Sequence, residues 1–549
     1  MAVVPSAFDC AMRQLALEFA VQIQPLATLR QLRDLADALN GSPEALCRNA
    51  TPTKPWHASD KVSKPQSQSA IIVSPTGDDA AAGTLASPLH SVRAAIARAR
   101  LLGIKEVALR AGTYRESSAI ELGPGDSGLT LTSYDNEPAV ISGAILLQPS
   151  WTRVHTTAAA NIWTTDVPSG VRIDALRVGG ERATRSRYPN ADPARELNPS
   201  GWITARTQWL PPVLTHLTNP PIEYAVTDPR WLRNDTKGPR GYAAGIGGSC
   251  AHLEPPYGYW CSARSARDSS GQQTHRSPSG VNFAGLLPNA PYSNAAGAVV
   301  HACNLANCWF NWAFEVDRQS VANQTLQWSV GGFQGAEGFD TAGNWYIENV
   351  FEELDAPGEF YFNATARRLF YFHNASVGTP PPTTLTFEAV GAQVLLNVTG
   401  TRAEPARDVT VRNIQFRDTA ATILEPHGMP SGGDWTLHRG GAITLQGTER
   451  LTVTSCSITQ TDGNGISING YNRNLSVEAC ELSWIGESGI TSWGFTSRGM
   501  GGGNVSLPPG VGMDGTGGEQ PRGTRIVGNI VREVGIFQKQ ASAFFQVIR

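Results

Sequence analysis

The sequence predicts an all-β protein built as a parallel solenoid, interrupted by a long insertion and preceded by a short helical segment. Three observations carry this. A phrase repeats at a fixed step of 24 residues with β-branched side chains at alternate positions. Glycine (56) and proline (36) are plentiful and charged residues make up only 17%, which describes a turn-rich chain rather than a helical bundle. Short strand-like runs separated by turn residues recur from Ile71 onward.

Taken in order, residues 12–40 read as two short helices. The first ends near Pro25, and the second sets Leu26, Leu29, Leu32, Leu35 and Leu39 on one face before Asn40-Gly41 stops it. Residues 1–48 form this helical segment, and the polar, proline-bearing stretch 49–69 reads as a linker. Residues 70–146 open the solenoid: IIVSP is a strand and TGDDAAAGT a loop. Ser87-Pro88 starts a capping helix over 88–102, with Leu89, Val92, Ile96 and Ala99 on one face and Gly103 at its end. KEVALRAGTYRE and SGLTLTSYDNEPAVISG supply further short strands. Residues 147–404 are less regular, rich in aromatics and β-like, and read as an inserted β-rich region. Within it DAPGE, at 355–359, offers two carboxylates but consists of turn formers and is read as a hairpin turn. Residues 405–549 return to coils.

The repeat is clearest in LTVTSCSITQTDGNGISI (451–468) and LSVEACELSWIGESGI (475–490). Val453 aligns with Val477, Cys456 with Cys480, Ile458 with Leu482, Gly465 with Gly489 and Ile466 with Ile490. VTVRNIQFRD precedes these copies by 42 residues, and TRIVGNIVREVG follows at a spacing of 50, so the outer steps carry loops. Each coil needs its neighbours to cover its inner face. Cys456 and Cys480 then stack about 4.8 Å apart, a spacing that allows a disulfide only marginally, and two free thiols packing as small hydrophobes are the favoured reading.

These coils, with VSPTGDDAAAGTLASPLHSVRAAIARAR, EVALRAGTY and GLTLTSYDNEPAVISG, resemble a right-handed parallel β-helix of the pectin-lyase-like superfamily. More narrowly the chain is similar to β-helix glycoside hydrolases of the β-xylosidase-like families, in which a β-sandwich interrupts the helix. LRVGGERATRSRYPNADP and NWYIENVFEELDAPGEFYF belong to the same resemblance, which spans roughly 71–549. The superfamily contains lyases, hydrolases, epimerases and adhesins, so the resemblance speaks to fold before activity.

The repeat register sets Asp462 opposite Gly486 and Glu487 opposite Gly463, which puts two carboxylates one residue apart on adjacent coils. At strand spacing their separation is about 5–6 Å, near the roughly 5–5.5 Å that a retaining glycosidase needs between nucleophile and acid/base. The resemblance implies Asp462 as nucleophile and Glu487 as acid/base. DGNG and GESG are also ordinary turn sequences. Trp484 and Trp493 flank the second copy and can stack on a sugar or pack in the core. Asn464 follows Asp462, and the loop ILEPHGMPSGGDWTLHRGG brings Glu425, His427, Asp434, His438 and Arg439 between coils, with Arg439 able to pair with a uronic carboxylate or satisfy loop carbonyls. His427 and His438 lack a compact ligand spacing, so no metal and no cofactor are expected.

A net charge of -3 offers no basic footprint for nucleic acid, and no stretch approaches the roughly 18 apolar residues of a membrane span. The expected partner is a glycan, and oligomeric state is not legible. Eight sequons (Asn49, Asn234, Asn323, Asn363, Asn374, Asn397, Asn474, Asn504) and an even set of eight cysteines, with Cys250/Cys261 and Cys303/Cys308 close enough to pair, point to the secretory pathway or the extracellular space. LALEFAVQI contains Glu18 and is no signal peptide, so the expectation is a displaced or incomplete start. QASAFFQVIR stops on a strand, and truncation after Arg549 is expected. Three functional readings follow: a retaining glycoside hydrolase, a polysaccharide lyase, or a non-catalytic glycan-binding protein. The lyase is disfavoured because Lys539 is the only lysine after Glu404 and no acidic cluster offers a calcium site.

Overall fold

A computed structural model describes residues 70–154, 160–192, 202–204, 208–209, 265–267, 273–275, 280–304, 311–331, 342–425, 437–494 and 518–547. The chain divides into two compact units, Met1–Lys61 and Val62–Arg549, and every described residue belongs to the second. The expected N-terminal helices and the linker lie outside the described residues.

Three parallel sheets form the body. The first carries Ile71–Val73, Glu106–Leu109, Thr130–Ser133, Thr410–Arg412, Thr452–Thr454, Ser476–Glu478 and Arg525–Val527. The second carries Gly112–Arg115, Ala139–Ser142, Ile414–Thr419, Ser457–Thr461, Glu481–Ile485 and Ile530–Val534. The third carries Ile120–Leu122, Leu396–Thr399, Gly441–Glu449, Asn464–Arg473, Ile490–Trp493 and Phe544–Val547. The chain visits them in that order, so each circuit is one coil. Val453 pairs with Val477 and Ile466 with Ile490, as the 24-residue register requires. Val411 pairs with Val453, while Val477 pairs with Ile526, one residue short of the expected 50.

Alternation explains the core: Val453, Ile458, Ile466, Ile468, Val477, Leu482 and Ile490 are fully buried in one aliphatic cluster. Cys456 and Cys480 are buried free thiols within it. Burial, and then the hydrogen bond to Cys480, push the Cys456 thiol far up.

At two of the three corners the later coils share one left-handed residue. Between first and second sheets Asn413, Ser455, Ala479 and Gly528 adopt φ of 56°, 53°, 51° and 63°. Between third and first, Asp408, Arg450, Asn474 and Gly523 adopt 56°, 53°, 53° and 69°. These left-handed positions recur in the later coils, while residues 123–129, 400–405 and 494–520 lengthen the path from the third sheet to the first. The insertion leaves at the corner between the second and third sheets.

That insertion departs after Ser142 and returns at Leu396, so both bounds lie N-terminal to the expected 147 and 404. Ala144–Leu146 already pairs antiparallel with Phe387–Val390, and Leu396–Thr399 already lies between Ile120–Leu122 and Gly441–Glu449 in the third sheet. A four-stranded and a five-stranded sheet share one core of Leu176, Phe387, Ala389, Phe360, Leu369 and Tyr371. This is the sandwich. A seven-stranded antiparallel sheet packs around Val300, Phe314, Leu326, Trp345 and Ile347.

The capping helix spans Val92–Leu102, not 88–102. Leu89 is held in a parallel bridge to Val73, and the Ser91 hydroxyl, not Ser87, accepts from the Ala94 N–H. Gly103 ends the helix at φ 66°.

The 355–359 segment forms a turn before strand Glu359–Asn363. Glu359 folds back so that one carboxyl oxygen accepts from the N–H groups of Asp355 and Ala356 at 3.2 and 3.1 Å. Burial, aided by the Asp355 charge, pushes this carboxyl up to about 8. The folded state keeps its proton to about pH 8, whereas the unfolded chain releases it near the ordinary 4.5. Between those values the folded state binds more protons, so stability falls as pH rises. Melting temperature is expected to decline from pH 5 to pH 8.5, and the Glu359→Gln variant to show a flatter profile.

Cys303 is disulfide-bonded, while Cys250, Cys261 and Cys308 lie outside the described residues. Asn323, Asn374 and Asn474 are exposed, and Asn363 and Asn397 half-buried. Asn49, Asn234 and Asn504 lie outside the described residues.

Candidate active site

The corner between second and third sheets is where the insertion leaves the solenoid. The large insertion, the segments 420–425 and 437–440, the turn at Asp462-Gly463, the turn at 486–489 and the segment 535–543 belong to it in five successive coils. Gly486 stacks directly on Asp462: a Cβ on Gly486 would meet the Asp462 backbone oxygen at 2.1 Å. The Glu487 N–H donates to Gly463 O at 3.2 Å. The two carboxylates thus sit on neighbouring coils, staggered by one residue, and each is only 2% exposed.

Their surroundings differ. The Asp462 carboxylate is bonded by Arg182 and faces Arg177 Nη2 at 3.5 Å. Both arginines come from the insertion, Arg177 on strand Ala175–Val178 and Arg182 on Glu181–Arg182, which pair as a hairpin. Arg177 is fully buried and also reaches Asp418 at 2.8 Å and the Gln460 carbonyl at 2.8 Å. Asp418 in turn accepts from Arg417 and Ser142, each at 2.8 Å. Burial would raise the Asp418 carboxyl, but the charges of Arg177 and Arg417 hold it below the usual range. Burial opposes the charge on Arg177, yet Asp462 and Asp418 keep that guanidinium above its ordinary value. Arg182 is pushed down by burial, with Arg177 adding repulsion.

Glu487 instead accepts from the Thr422 hydroxyl at 2.6 Å, in the segment that follows strand Ile414–Thr419. Asp462 lines a cavity of about 520 Å³ between corner and insertion, with Arg182, Arg185, His301, Glu348 and Phe537 in its wall. Ala421 and Ile423, either side of Thr422, line it too.

The other expected binding residues lie around this corner. Trp484 is half-buried at φ 58°, a kink that Asp418, Gln460 and Glu533 repeat in neighbouring coils. Trp493 is buried beneath Arg439, whose guanidinium lies 3.5 Å over its ring. Arg439 also donates to the carbonyls of Trp493 and Gly494 at 3.1 and 2.9 Å. Asn464 links three neighbouring coils: its amide donates to His438 O and Gly440 O, and its oxygen accepts from Ser488 N–H at 3.0 Å. His438 is half-buried. Glu425 accepts from Gln393 at 3.1 Å and lines the cavity. His427 and Asp434 lie outside the described residues. Among the described residues no cluster of three or more His, Cys, Asp or Glu could hold a metal, and no helix is long and apolar enough to cross a membrane.

The residues that sequence reasoning missed are Arg177, Arg182, Arg417 and Asp418. For Arg177 and Arg182 the signal available was the arginine density of LRVGGERATRSRYP, whereas Arg417 and Asp418 lie in IQFRD, which carries no such signal.

No family model matches the sequence, and no curated protein matches it. Among solved structures, one described as "Glycoside hydrolase" superposes with a TM-score of 0.54 at 16% identity, covering 87% of this chain and 75% of that one. "The complex structure of XylC with xylose" reaches 0.37 at 11% identity over 87% and 56%. A tailspike of Acinetobacter baumannii bacteriophage AP22, solved with a capsular saccharide, reaches 0.14 at 7% over 80% and 44%. Only the first likeness is close enough to carry weight, and it bears on architecture: this all-β chain shares the fold of a solved glycoside hydrolase.

Proposed function

We propose that the chain is a glycoside hydrolase of the retaining type, with Asp462 as nucleophile and Glu487 as acid/base. The observation that carries this is the stagger of the two buried carboxylates across one step of the solenoid, at the corner covered by the insertion. One strand spacing is about 4.8 Å, close to the roughly 5–5.5 Å of retaining enzymes. Arg182 and Arg177 orient Asp462 for attack on the anomeric carbon. As that bond forms, the bond to the leaving oxygen breaks and Glu487 gives it a proton. Water then attacks the glycosyl ester, Glu487 takes the proton back, and Asp462 leaves as carboxylate.

The test uses aryl glycosides and the Asp462→Gly variant with added azide. Turnover is expected to vanish and to return with azide as a glycosyl azide of inverted configuration. Full activity without azide would overturn the assignment.

A lyase reading draws on Lys539, at the same corner one coil beyond Glu487. Burial, with the charge of Arg187, pushes its ammonium down to about 8, within range of a general base. An unsaturated product absorbing in the ultraviolet would favour that reading, and glycan binding without any product would favour a binding protein.

A further inference from the structure

Glu487 is held by a side chain that reaches it from two steps away. The Thr422 hydroxyl donates to Glu487 Oε1 at 2.6 Å, and each residue is 2% exposed. Thr422 follows strand Ile414–Thr419 and Glu487 follows Glu481–Ile485, so the coil of Ser457–Thr461, with Asp462 and Gly463 after it, lies between them. Glycine at 463 keeps the passage open: a Cβ there would meet Thr422 Oγ1 at 2.7 Å and its Cγ2 at 3.2 Å. The bond is also short. Hydroxyl donors stand roughly 2.7–2.8 Å from neutral oxygens and roughly 2.5–2.7 Å from charged ones, so this hydroxyl is placed for the carboxylate form of Glu487.

The chain on both sides of Thr422 is anchored to the insertion. The Ala420 N–H donates to Ala392 O at 2.8 Å. Gln393 Nε2 donates to Ala421 O at 3.2 Å and to Glu425 Oε1 at 3.1 Å. The Glu425 N–H donates back to Thr422 O at 2.8 Å, closing a turn. Ile423 is buried against Val299 and Ala313. A donor fixed in this way meets charge on Glu487 without reorganisation, which is the condition under which a hydrogen bond acts on a transition state.

We infer that Thr422 is a positioning residue for the acid step: it holds Glu487 by Oε1 and stabilises the charge that appears on the carboxyl as its proton leaves. With Oε1 engaged as acceptor, the proton to be given is carried on Oε2. The Oε2–H bond breaks as the bond from that proton to the leaving oxygen forms, and the carboxylate left behind keeps the Thr422 bond. A bond stronger to the carboxylate than to the neutral acid favours the transition state over the ground state. The inference rests on the hydrolase reading and adds to it a residue outside the carboxylate pair.

The test measures kcat and KM of the whole chain on the methyl and 2,4-dinitrophenyl glycosides of whichever sugar the wild type turns over. Thr422→Val is expected to lower kcat/KM on the methyl glycoside about 10- to 100-fold, the fold-change of losing a hydrogen bond to a charged group, with KM held within about twofold. On the 2,4-dinitrophenyl glycoside, whose departure needs little protonation, kcat/KM is expected to change less than about twofold. Thr422→Ser keeps the hydroxyl and should return both substrates to within about threefold of wild type. Should Thr422→Val fail to fold, Thr422→Ala removes the same oxygen with less bulk and is expected to show the same split between substrates. A purely structural threonine would lower both substrates alike, so equal loss on both, no loss on either, or no rescue by serine would overturn the inference. Wild-type turnover that falls with Glu487→Gln but not with Thr422→Val would defeat this inference alone. Wild type that turns over no glycoside would defeat the hydrolase reading, and this inference with it.

Discussion

Turnover by the Glu487→Gln variant is expected to fall roughly 10²- to 10⁴-fold, the usual contribution of a positioned proton donor. The amide keeps the volume of the side chain and can still accept the hydrogen bond from Thr422, so circular dichroism and melting temperature should stay near wild type. The loss should depend on the leaving group. A 2,4-dinitrophenyl glycoside needs little protonation, and its first step should be almost untouched, whereas an alkyl glycoside should show the full loss. Equal loss on both substrates, or none on either, would remove Glu487 from the acid role. Asp462→Asn should behave differently, because it strips the counter-charge from Arg182 and Arg177 and so lowers stability along with turnover.

The Arg177→Met variant is expected to lose about 3–5 kcal/mol of unfolding free energy in urea denaturation, the cost of leaving a buried ionic partner unpaired. Arg177 is fully buried and links Asp418 on one coil to Asp462 on the next, tying the insertion to the solenoid. Methionine fills part of the volume but leaves both carboxylates short of a donor. Arg417→Met provides the comparison, since that side chain is 23% exposed and water can replace it at Asp418. A loss for Arg177→Met no greater than that for Arg417→Met would show that the network does not hold the insertion in place.

The solenoid was legible because its determinants are local and repeated. Val453, Cys456 and Ile458 recur in Val477, Cys480 and Leu482, and a period shared by neighbouring coils fixes register without further information. The stagger of Asp462 and Glu487 followed from the same register. The partners of those carboxylates did not. Arg182 is 280 residues from Asp462 and Thr422 is 65 from Glu487, and no periodic signal connects them. The start of the capping helix was misplaced for a smaller reason of the same kind. Ser87-Pro88 is a valid local start, but Leu89 is claimed by its bridge to Val73. The insertion bounds were missed because Ala144–Leu146 and Leu396–Thr399 read alike as short strands, and only their pairing tells sandwich from solenoid.

The open corner also works as a graduated scale. The coils stack at the strand spacing, so groups at this corner change position along the solenoid in whole steps of about 4.8 Å. A carboxylate one step from Asp462 stands at the distance for a covalent intermediate. Moved one coil further, to the turn at 535–538 whose Gly535 N–H bonds to Glu487 O, it would stand roughly 9.6 Å away, near the upper end of the range where a water fits between the pair and the anomeric centre inverts. Under the proposed function, stereochemical outcome would be set by which tooth of the ladder carries the acid, and changing it would require no alteration of the strands.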